Sequence, residues 1–325
     1  MIRALLAASL CAGWALHGAD LANAQTYPNK EPIKVVIPFS AGGPTDGMAR
    51  IISERLRTAL GQTIVIENRG GAGGAIAAKF VAAADPDGYT ILMTTGGPLT
   101  TGPAVNPDIG YDPVKVFASV CQLIETPEII SVSPNLPVKS MAEVVAYAKA
   151  NPGKIRWGSP GFGTAPHLLG EMFKLEAGVN ILHVPYRGDA PLLNAILVDE
   201  VQIIAMTSTS SLPYIQAGKL RPIAVAGNVG DPKLPDVPTV DEAGFPKLHA
   251  PFWLAVVAPA GTPPEIIGKL NSAFRQALAA PETRARLDAL GAESKISTPE
   301  DLDKMLAAER AQWTAVVKAA NIKME

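Results

Sequence analysis

The sequence predicts an α/β protein of two similar lobes, each built on a mainly parallel sheet flanked by helices. Two observations carry this prediction. Apolar strand patterns alternate with helical patterns, which is the order of βαβ units, and this order occurs in 33–95 and again in 154–226. The chain has 325 residues, of which 48% are hydrophobic and 18% charged. It is therefore long enough for two cores and lacks the composition of a disordered protein.

Residues 1–24 are predicted to be a cleaved export signal. Arg3 precedes an apolar stretch, and Ala22-Asn-Ala24 has the small-x-small pattern of a signal peptidase site. A membrane anchor is the alternative, but His17 and Asp20 interrupt the apolar run before the roughly 20 residues that a spanning helix needs. We therefore expect an exported mature chain that begins at Gln25.

Cysteine and net charge exclude several classes of protein. Cys11 leaves with the leader, and Leu10 before it does not suit a lipoprotein signal. Only Cys121 remains, so no internal disulfide is expected and this residue is predicted to be packed in a core. The net charge of −2 gives no indication of nucleic-acid binding.

The first lobe is predicted from a repeated strand, loop and helix. Residues 33–39 form an apolar, β-branched run typical of a buried parallel strand. Turn and capping residues fill 40–46, and a helical pattern then continues to Gly61. Further strands are predicted at 63–67 and 89–95, with a glycine loop at 70–74 and a helix at 75–84 between them.

The second lobe is predicted from the same order. Its glycine loop, 159–164, follows a strand at 154–158 and precedes a helix at 165–177. The later strands and helices are predicted at 181–186, 191–197, 201–207, 211–217 and 220–226.

The C-terminal part does not begin a third lobe. A strand is predicted at 253–257, and Thr262-Pro-Pro-Glu265 reads as a capping box at the start of a helix. Thr298 to Asp301 opens the last amphipathic helix. We expect these helices to pack on the first lobe, so that lobe 1 comprises 25–125 with 250–325 and lobe 2 comprises 126–249.

Both glycine loops are predicted to line one ligand cleft between the lobes. In open α/β sheets a ligand lies beyond the carboxyl ends of the strands, and a glycine loop before a helix offers backbone N–H groups to an anion. The candidate ligand-binding residues are Phe39, Ser40, Ala41, Gly42, Gly43, Thr45, Asp46, Thr94, Thr95, Gly96, Ser159, Gly161, Phe162, Gly163, Thr164, His167, Arg187, Asp189 and Thr207.

Several of these residues have a purely structural alternative. The glycines could be ordinary turn residues, and Asp46 and Thr164 could be helix caps. His167 could be bonded to backbone, and Arg187 and Asp189 could pair with each other or across the cleft. One loop alone would favour the structural alternative, whereas two matched loops favour a binding site.

The sequence lacks the common catalytic motifs. It has no G-x-S-x-G, no H-E-x-x-H and no cysteine pair, so neither a catalytic residue nor a metal or other cofactor is expected. The alternative from another class is a hydrolase or isomerase that uses His167 with Asp46 or Asp189.

Eight segments along the chain together resemble the Bug family, the receptors of tripartite tricarboxylate transporters. They are Tyr27-Pro-x-Lys-x-Pro-Ile33, Pro38-Phe-Ser-Ala-Gly-Gly-Pro-Thr-Asp46, Glu67-Asn-Arg-Gly-Gly-Ala-Gly-Gly74, Asp85-Pro-Asp-Gly-Tyr-Thr90, His183-Val-Pro-Tyr-Arg-Gly188, Ala217-Gly-Lys-Leu-Arg221, Leu234-Pro-Asp-Val-Pro-Thr239 and Glu242-Ala-Gly244.

This resemblance implies a type II periplasmic binding fold whose ligand, usually a carboxylate, is held by backbone groups and waters of loops 39–46 and 159–164. It also implies a periplasmic receptor, expected to be a monomer, with a membrane transporter as partner; a membrane sensor is the alternative partner. Asp199-Glu200 departs from the glycine pair usual in the family, at a helix end away from the expected cleft. The ligand stays open, from dicarboxylates and aromatic acids to amino acids and amides.

Overall fold

The computed structural model describes residues 27–227 and 229–322, so the predicted leader lies outside the described residues. In chain order the strands are β1 Ile33–Ile37, β2 Ile64–Asn68, β3 Thr90–Thr94, β4 Phe117–Thr126, β5 Glu128–Val132, β6 Arg156–Ser159, β7 Leu182–Pro185, β8 Ile203–Thr207, β9 Arg221–Val225, β10 Phe252–Pro259 and β11 Glu293–Ser294. The helices are α1 Pro44–Leu60, α2 Ala75–Ala82, α3 Gly102–Val105, α4 Pro113–Val116, α5 Met141–Ala150, α6 Ala165–Ala177, α7 Asp189–Leu197, α8 Ser208–Gln216, α9 Pro264–Ala279, α10 Pro281–Ala289 and α11 Pro299–Ala319.

These strands form two sheets with helices packed against them, which confirms the predicted two-lobed α/β fold. The first sheet has the order β11-β4-β10-β3-β1-β2 and the second β7-β6-β8-β5-β9. Within the predicted βαβ units the pairing is parallel: β1 with β2 and β3, and β6 with β7 and β8. β10 and β5 run antiparallel to both of their neighbours, so each sheet is mixed.

The antiparallel pairing arises where the chain passes from one sheet to the other. β4 is antiparallel to β10, which is antiparallel to β3, so β4 ends at the same edge of the first sheet as β1 and β3. Pro127 alone separates β4 from β5. β5 therefore enters the second sheet at the edge where β6, β7 and β8 end. The carboxyl ends of the parallel strands in both sheets thus meet at one junction.

The last helix packs against both lobes, so the expectation that it lies on the first lobe is only half right. Leu302 and Leu306 join an apolar cluster of the first sheet. Trp313 joins the core of the second sheet, which also includes Val105 of α3. Glu309, between these two parts of α11, accepts hydrogen bonds from the indole of Trp253 in β10 at 3.1 Å and from that of Trp313 at 3.0 Å.

Of the two helix N-caps predicted in the C-terminal part, the structure confirms one and contradicts the other. Thr298 is the N-cap of α11, and its side chain accepts a hydrogen bond from the Asp301 amide at 3.1 Å. The capping box predicted at Thr262 is wrong, because the N-cap of α9 is Pro263 and the Thr262 hydroxyl donates to the Pro259 carbonyl instead. Cys121 is buried in the first core as predicted. Within the described ranges, no helix is both long and apolar enough to cross a membrane.

Candidate functional site: a cleft between the two sheets

The first glycine loop, residues 39–46, is held in shape by the carboxylate of Asp46. Its Oδ2 accepts hydrogen bonds from the Gly42 amide at 2.9 Å and Arg50 Nε at 2.9 Å. Its Oδ1 accepts from Arg50 Nη2 and Asn68 Nδ2, both at 3.0 Å. The Arg50 hydrogen bond is the main reason that the pKa of Asp46 is lowered to about 2. Asp46 is therefore ionised and fully engaged inside the loop.

These contacts decide between the alternatives left open for the first loop. Gly43, not Asp46, is the N-cap of α1. Asn68 at the end of β2 also donates to the Phe39 carbonyl at 3.1 Å, so it ties both ends of the loop together. Sequence reasoning missed Asn68, although it lies in the Glu67-Asn-Arg-Gly segment that carries the family resemblance. Phe39 is partly buried and Thr45 buried, whereas Ser40 and Ala41 are exposed.

Some backbone amides of the first loop stay available to a ligand. The Gly42 amide is used by Asp46, but no hydrogen bond is found for the amides of Ser40, Ala41 and Gly43 among the described residues. They stand just before α1, whose aligned peptide dipoles favour negative charge at this end. The first loop can therefore present several N–H donors to an anion.

The neighbouring segment, Thr94 to Gly96, follows the end of β3. Thr94 and Thr95 are buried, and the Thr94 hydroxyl donates to the Thr95 carbonyl at 3.2 Å. A Cβ at Gly96 would lie 2.9 Å from the Thr100 hydroxyl, which itself donates to the Gly96 carbonyl. This segment is thus tightly packed, and a side chain at position 96 would have to displace the Thr100 hydroxyl.

The second glycine loop, 159–164, is closed by its own side chains. The buried Ser159 hydroxyl accepts from the Gly161 amide at 3.3 Å, and the Thr164 hydroxyl donates to the Gly161 carbonyl at 2.7 Å. Thr164 is the N-cap of α6 by position, but its side chain makes no capping hydrogen bond. Its hydroxyl therefore shapes the loop and does not cap the helix.

A column of three rings supports the second loop. The ring of His167 stacks on that of His183 with centroids 3.9 Å apart, and Phe162 covers His167 at 4.7 Å. His167 is buried, whereas Phe162 is 42% exposed. Burial lowers the pKa of His167 to about 3 and that of His183 to about 4, so both rings are neutral at pH 7. His183 was not among the candidate site residues, although it opens the segment 183–188 that carries the family resemblance. It lies 16 positions from His167 in the chain, and only the fold brings the two rings together.

The loop after β7 lies against the second glycine loop. The amides of Tyr186 and Gly188 donate to the carbonyls of Ser159 and Pro160, each at 2.9 Å. The exposed Arg187 forms no ion pair with Asp189 or with any other acid in the described parts of the chain, so neither predicted pairing is found. Thr207, at the end of β8, caps α8 by accepting from the Ser210 amide.

The two glycine loops belong to different sheets but to the same junction. The first follows β1 and the second follows β6, and both of these strands end at the edges joined through Pro127. The second loop already touches the first lobe, since a Cβ at Gly163 would lie 3.7 Å from the side chain of Val105 in α3. This arrangement places two helix starts at the junction between the sheets.

The same geometry weighs against the hydrolase or isomerase alternative. His167 Nδ1 accepts the Gly163 amide at 3.0 Å, and no hydrogen bond joins His167 to Asp46 or Asp189 within the described chain. Asp46 has no free oxygen lone pair left for a base. No cluster of three or more metal-ligating side chains occurs among the residues that the structure describes.

Two α/β lobes with opposed helix starts at one cleft define the class of two-lobed solute-binding receptors. Comparison with known proteins narrows this class to one family. The chain belongs to the tripartite tricarboxylate transporter family receptors, whose sequence profile matches residues 48–322.

Three relatives show how far the similarity extends. BugT of Bordetella pertussis is 34% identical over 304 residues, which are 93% of each chain. The solved structure of the periplasmic binding protein BugD is 36% identical, covers 91% of this chain and 99% of its own, and has a TM-score of 0.80. Rpa4515 of R. palustris, solved with adipate, is 37% identical, covers 91% of this chain and 99% of its own, and has a TM-score of 0.83. The chain is thus a periplasmic solute receptor and not an enzyme.

Proposed function

We propose that this receptor captures a small organic carboxylate in the cleft and delivers it to a membrane transporter of the tripartite tricarboxylate type. The observation that carries the proposal is the meeting of two glycine loops, each before a helix start, at the one-residue crossover of Pro127. The binding of adipate by the similar Rpa4515 supports a carboxylate as the ligand. The candidate contacts of the sequence prediction stay part of this proposal, with Asp46, Ser159, Thr164 and His167 acting through the shape of their loops.

The available groups are sufficient for a useful affinity. A hydrogen bond to a charged acceptor contributes about 1.5–3 kcal/mol net, and a helix start about 0.3–1 kcal/mol. Three amides of the first loop and two helix starts therefore approach the roughly 8 kcal/mol of micromolar binding. No cationic side chain is needed for this estimate.

We further propose that the chain is exported with cleavage after Ala24 and that the receptor acts as a monomer. The small-x-small pattern before Gln25 supports the first statement. Mass spectrometry of the protein secreted to the periplasm would give the N-terminus, and sedimentation would give the oligomeric state.

Ligand-induced thermal stabilisation tests the site through two matched glycine substitutions. Gly42 in the first loop and Gly178 at the end of α6 both have a positive φ, +83° and +61°, and a Cβ at either would meet nothing within 4 Å. Valine should cost a similar 1–2 kcal/mol or so of folding free energy at each, because both positions are left-handed. We expect only Gly42→Val to abolish stabilisation by a panel of carboxylates.

The proposed site would be wrong if the ligand raised the melting temperature of Gly42→Val as much as that of the wild type. It would also be wrong if Gly178→Val lost this stabilisation as completely as Gly42→Val. A third variant, Gly163→Val, tests the opposite side of the cleft. It places a side chain against Val105 and should also reduce binding.

A further inference from the structure

An acidic side chain without a counter-charge is buried at the junction of the two sheets. Glu128 is the first residue of β5, immediately after Pro127, and is only 4% exposed. It pairs across the sheet with Thr207, a residue at the carboxyl end of β8. One of its carboxyl oxygens, Oε2, has no hydrogen-bond partner in the described part of the protein. A buried carboxyl in this state costs free energy unless something else satisfies it.

A second carboxyl lies at the same junction, on the helix that begins after β7. Asp189 is the first residue of α7, and its charge is the second cause, after burial, that raises the pKa of Glu128 to about 8. Burial also raises the pKa of Asp189. Neither acid forms an ion pair with a Lys, Arg or His among the described residues. The two carboxyls therefore lack a cation.

Two hydroxyl-bearing residues lie beside the crossover. Thr126 precedes Pro127, and the Ser208 amide donates to the Pro127 carbonyl at 2.9 Å. The side-chain oxygens of Thr126 and Ser208 are buried, and neither finds a hydrogen-bond partner within the described ranges. Two carboxyls can accept several hydrogen bonds at once. An ammonium group carries three donors and a positive charge, so it would favour the ionised form of both acids, whereas a second carboxylate would disfavour that form.

We propose that the ligand of this receptor carries an amino group as well as a carboxylate, with the ammonium held by Glu128 and Asp189 while the carboxylate lies at the glycine loops. This inference rests on the proposed carboxylate-binding function and narrows its ligand class to amino acids and related aminocarboxylates. Glu128 and Asp189 then determine specificity, because they distinguish an ammonium from a carboxylate at the far end of the ligand.

Calorimetry of the purified receptor with matched compounds tests the inference. The four-carbon set is 4-aminobutyrate, L-2-aminobutyrate, succinate and butyrate, and the six-carbon set is 6-aminohexanoate, L-2-aminohexanoate, adipate and hexanoate. All compounds of a set have the same number of carbon atoms and at least one carboxylate. We expect the best aminocarboxylate to bind at least tenfold more tightly than the dicarboxylate and the monocarboxylate of its set.

Charge-neutral variants locate the ammonium. Glu128→Gln and Asp189→Asn keep the side-chain shape, and each should reduce the preference for the aminocarboxylate over the monocarboxylate by tenfold or more. Glu300→Gln, at an exposed position of α11, should leave the preference unchanged. Melting curves show whether each variant is folded, and two variants keep the test decisive if one does not fold.

The outcomes separate the two proposals. Binding of dicarboxylates or monocarboxylates without a preference for amines would overturn the inference and leave the carboxylate receptor intact. An amine preference that survives both substitutions would also overturn it, because the ammonium would then lie elsewhere. If none of the eight compounds stabilises or binds the receptor, the inference fails together with the proposed function.

Discussion

The amide of Gly163 donates a hydrogen bond to Nδ1 of His167, with the two nitrogens 3.0 Å apart. An acceptor at Nδ1 places the ring proton on Nε2, so the imidazole is the neutral tautomer. The histidine thereby fixes a glycine that has a φ of +75° at the tip of the second loop. His167 thus positions the second loop. This role explains why a histidine can lie beside a binding site without acting as an acid or a base.

The stability of the receptor is expected to fall on acidification because of the ring column. Burial lowers the pKa of His167 to about 3 and of His183 to about 4, whereas an unfolded chain takes up these protons near pH 6.5. Their stabilising effect is therefore complete above pH 6.5 and is lost as the pH falls through 4 and 3. Each ring contributes a slope of at most about 1.4 kcal/mol per pH unit.

Urea unfolding between pH 4 and 6.5 measures this effect. His167→Phe keeps a ring in the column but removes one titrating group, so its free energy of unfolding should depend less on pH than that of the wild type. Equal slopes for the two proteins would show that the histidine is not held neutral by burial.

The opposite pH dependence is expected from Glu128. Its pKa is raised to about 8 by burial and by Asp189, so the folded protein holds a proton that the unfolded chain releases near pH 4.5. The resulting stability is complete below pH 4.5 and is lost as the pH rises through 8, with a slope of up to about 1.4 kcal/mol per pH unit. Glu128→Gln should remove this decline between about pH 7.5 and 8, where both histidines are almost entirely neutral in either state. A wild-type protein whose unfolding free energy is flat over this range would contradict the prediction.

The sequence predicted the elements well wherever pattern and local chemistry agree. Helix α6 spans 165–177 in both prediction and structure, because Thr164 and Pro166 mark its start and Gly178 its end. The antiparallel strands β4 and β5 and the packing of α11 on both lobes were not predicted, since they depend on where the chain crosses between sheets. The Thr262 capping box failed because the N-cap is one residue later than predicted, at Pro263, which has no side-chain acceptor.

The candidate site was predicted in outline but not in its internal contacts. Glycine and turn residues mark a loop in any sequence, so loops 39–46 and 159–164 were recognisable. How each loop is held depends on partners brought from elsewhere. Asn68 donates to the Phe39 carbonyl and the Asp46 carboxylate, and His183 is hydrogen-bonded to the Ser159 hydroxyl. Glu128 was missed for the same reason, because nothing in 125–129 indicates that Asp189 acts on its charge.

The shape of the first loop is expected to depend on the charge of Asp46. Asp46→Asn keeps the size of the side chain, but it weakens the two hydrogen bonds from Arg50 and leaves only one acceptor oxygen. Since Arg50 is half exposed, we expect a loss of about 1 kcal/mol of unfolding free energy. Ligand affinity should fall more than tenfold, because the amides would no longer be aligned. Thermal melts measure the loss of stability, and calorimetry measures the loss of affinity. An Asn68→Ala variant should also lose both stability and affinity. If both variants kept their affinity, Asp46 would not determine how the loop amides are aligned for the ligand.

The last prediction isolates a single amide donor. Gly43 has a φ of −78°, which proline also adopts, and a Cβ there would lie 3.6 Å from the Ser40 carbonyl oxygen, an ordinary contact. Gly43→Ala keeps the N–H group and Gly43→Pro removes it, so the pair differs chiefly in one hydrogen-bond donor. Loss of a hydrogen bond to a charged acceptor of about 1.5–3 kcal/mol predicts an affinity roughly 10- to 150-fold lower for the proline variant than for the alanine variant. Calorimetry with the tightest carboxylate measures the difference, and circular dichroism confirms that both variants are folded. Equal affinities would mean that the Gly43 amide does not contact the ligand, and the anion would then have to be held by the amides of Ser40 and Ala41 or by the second loop.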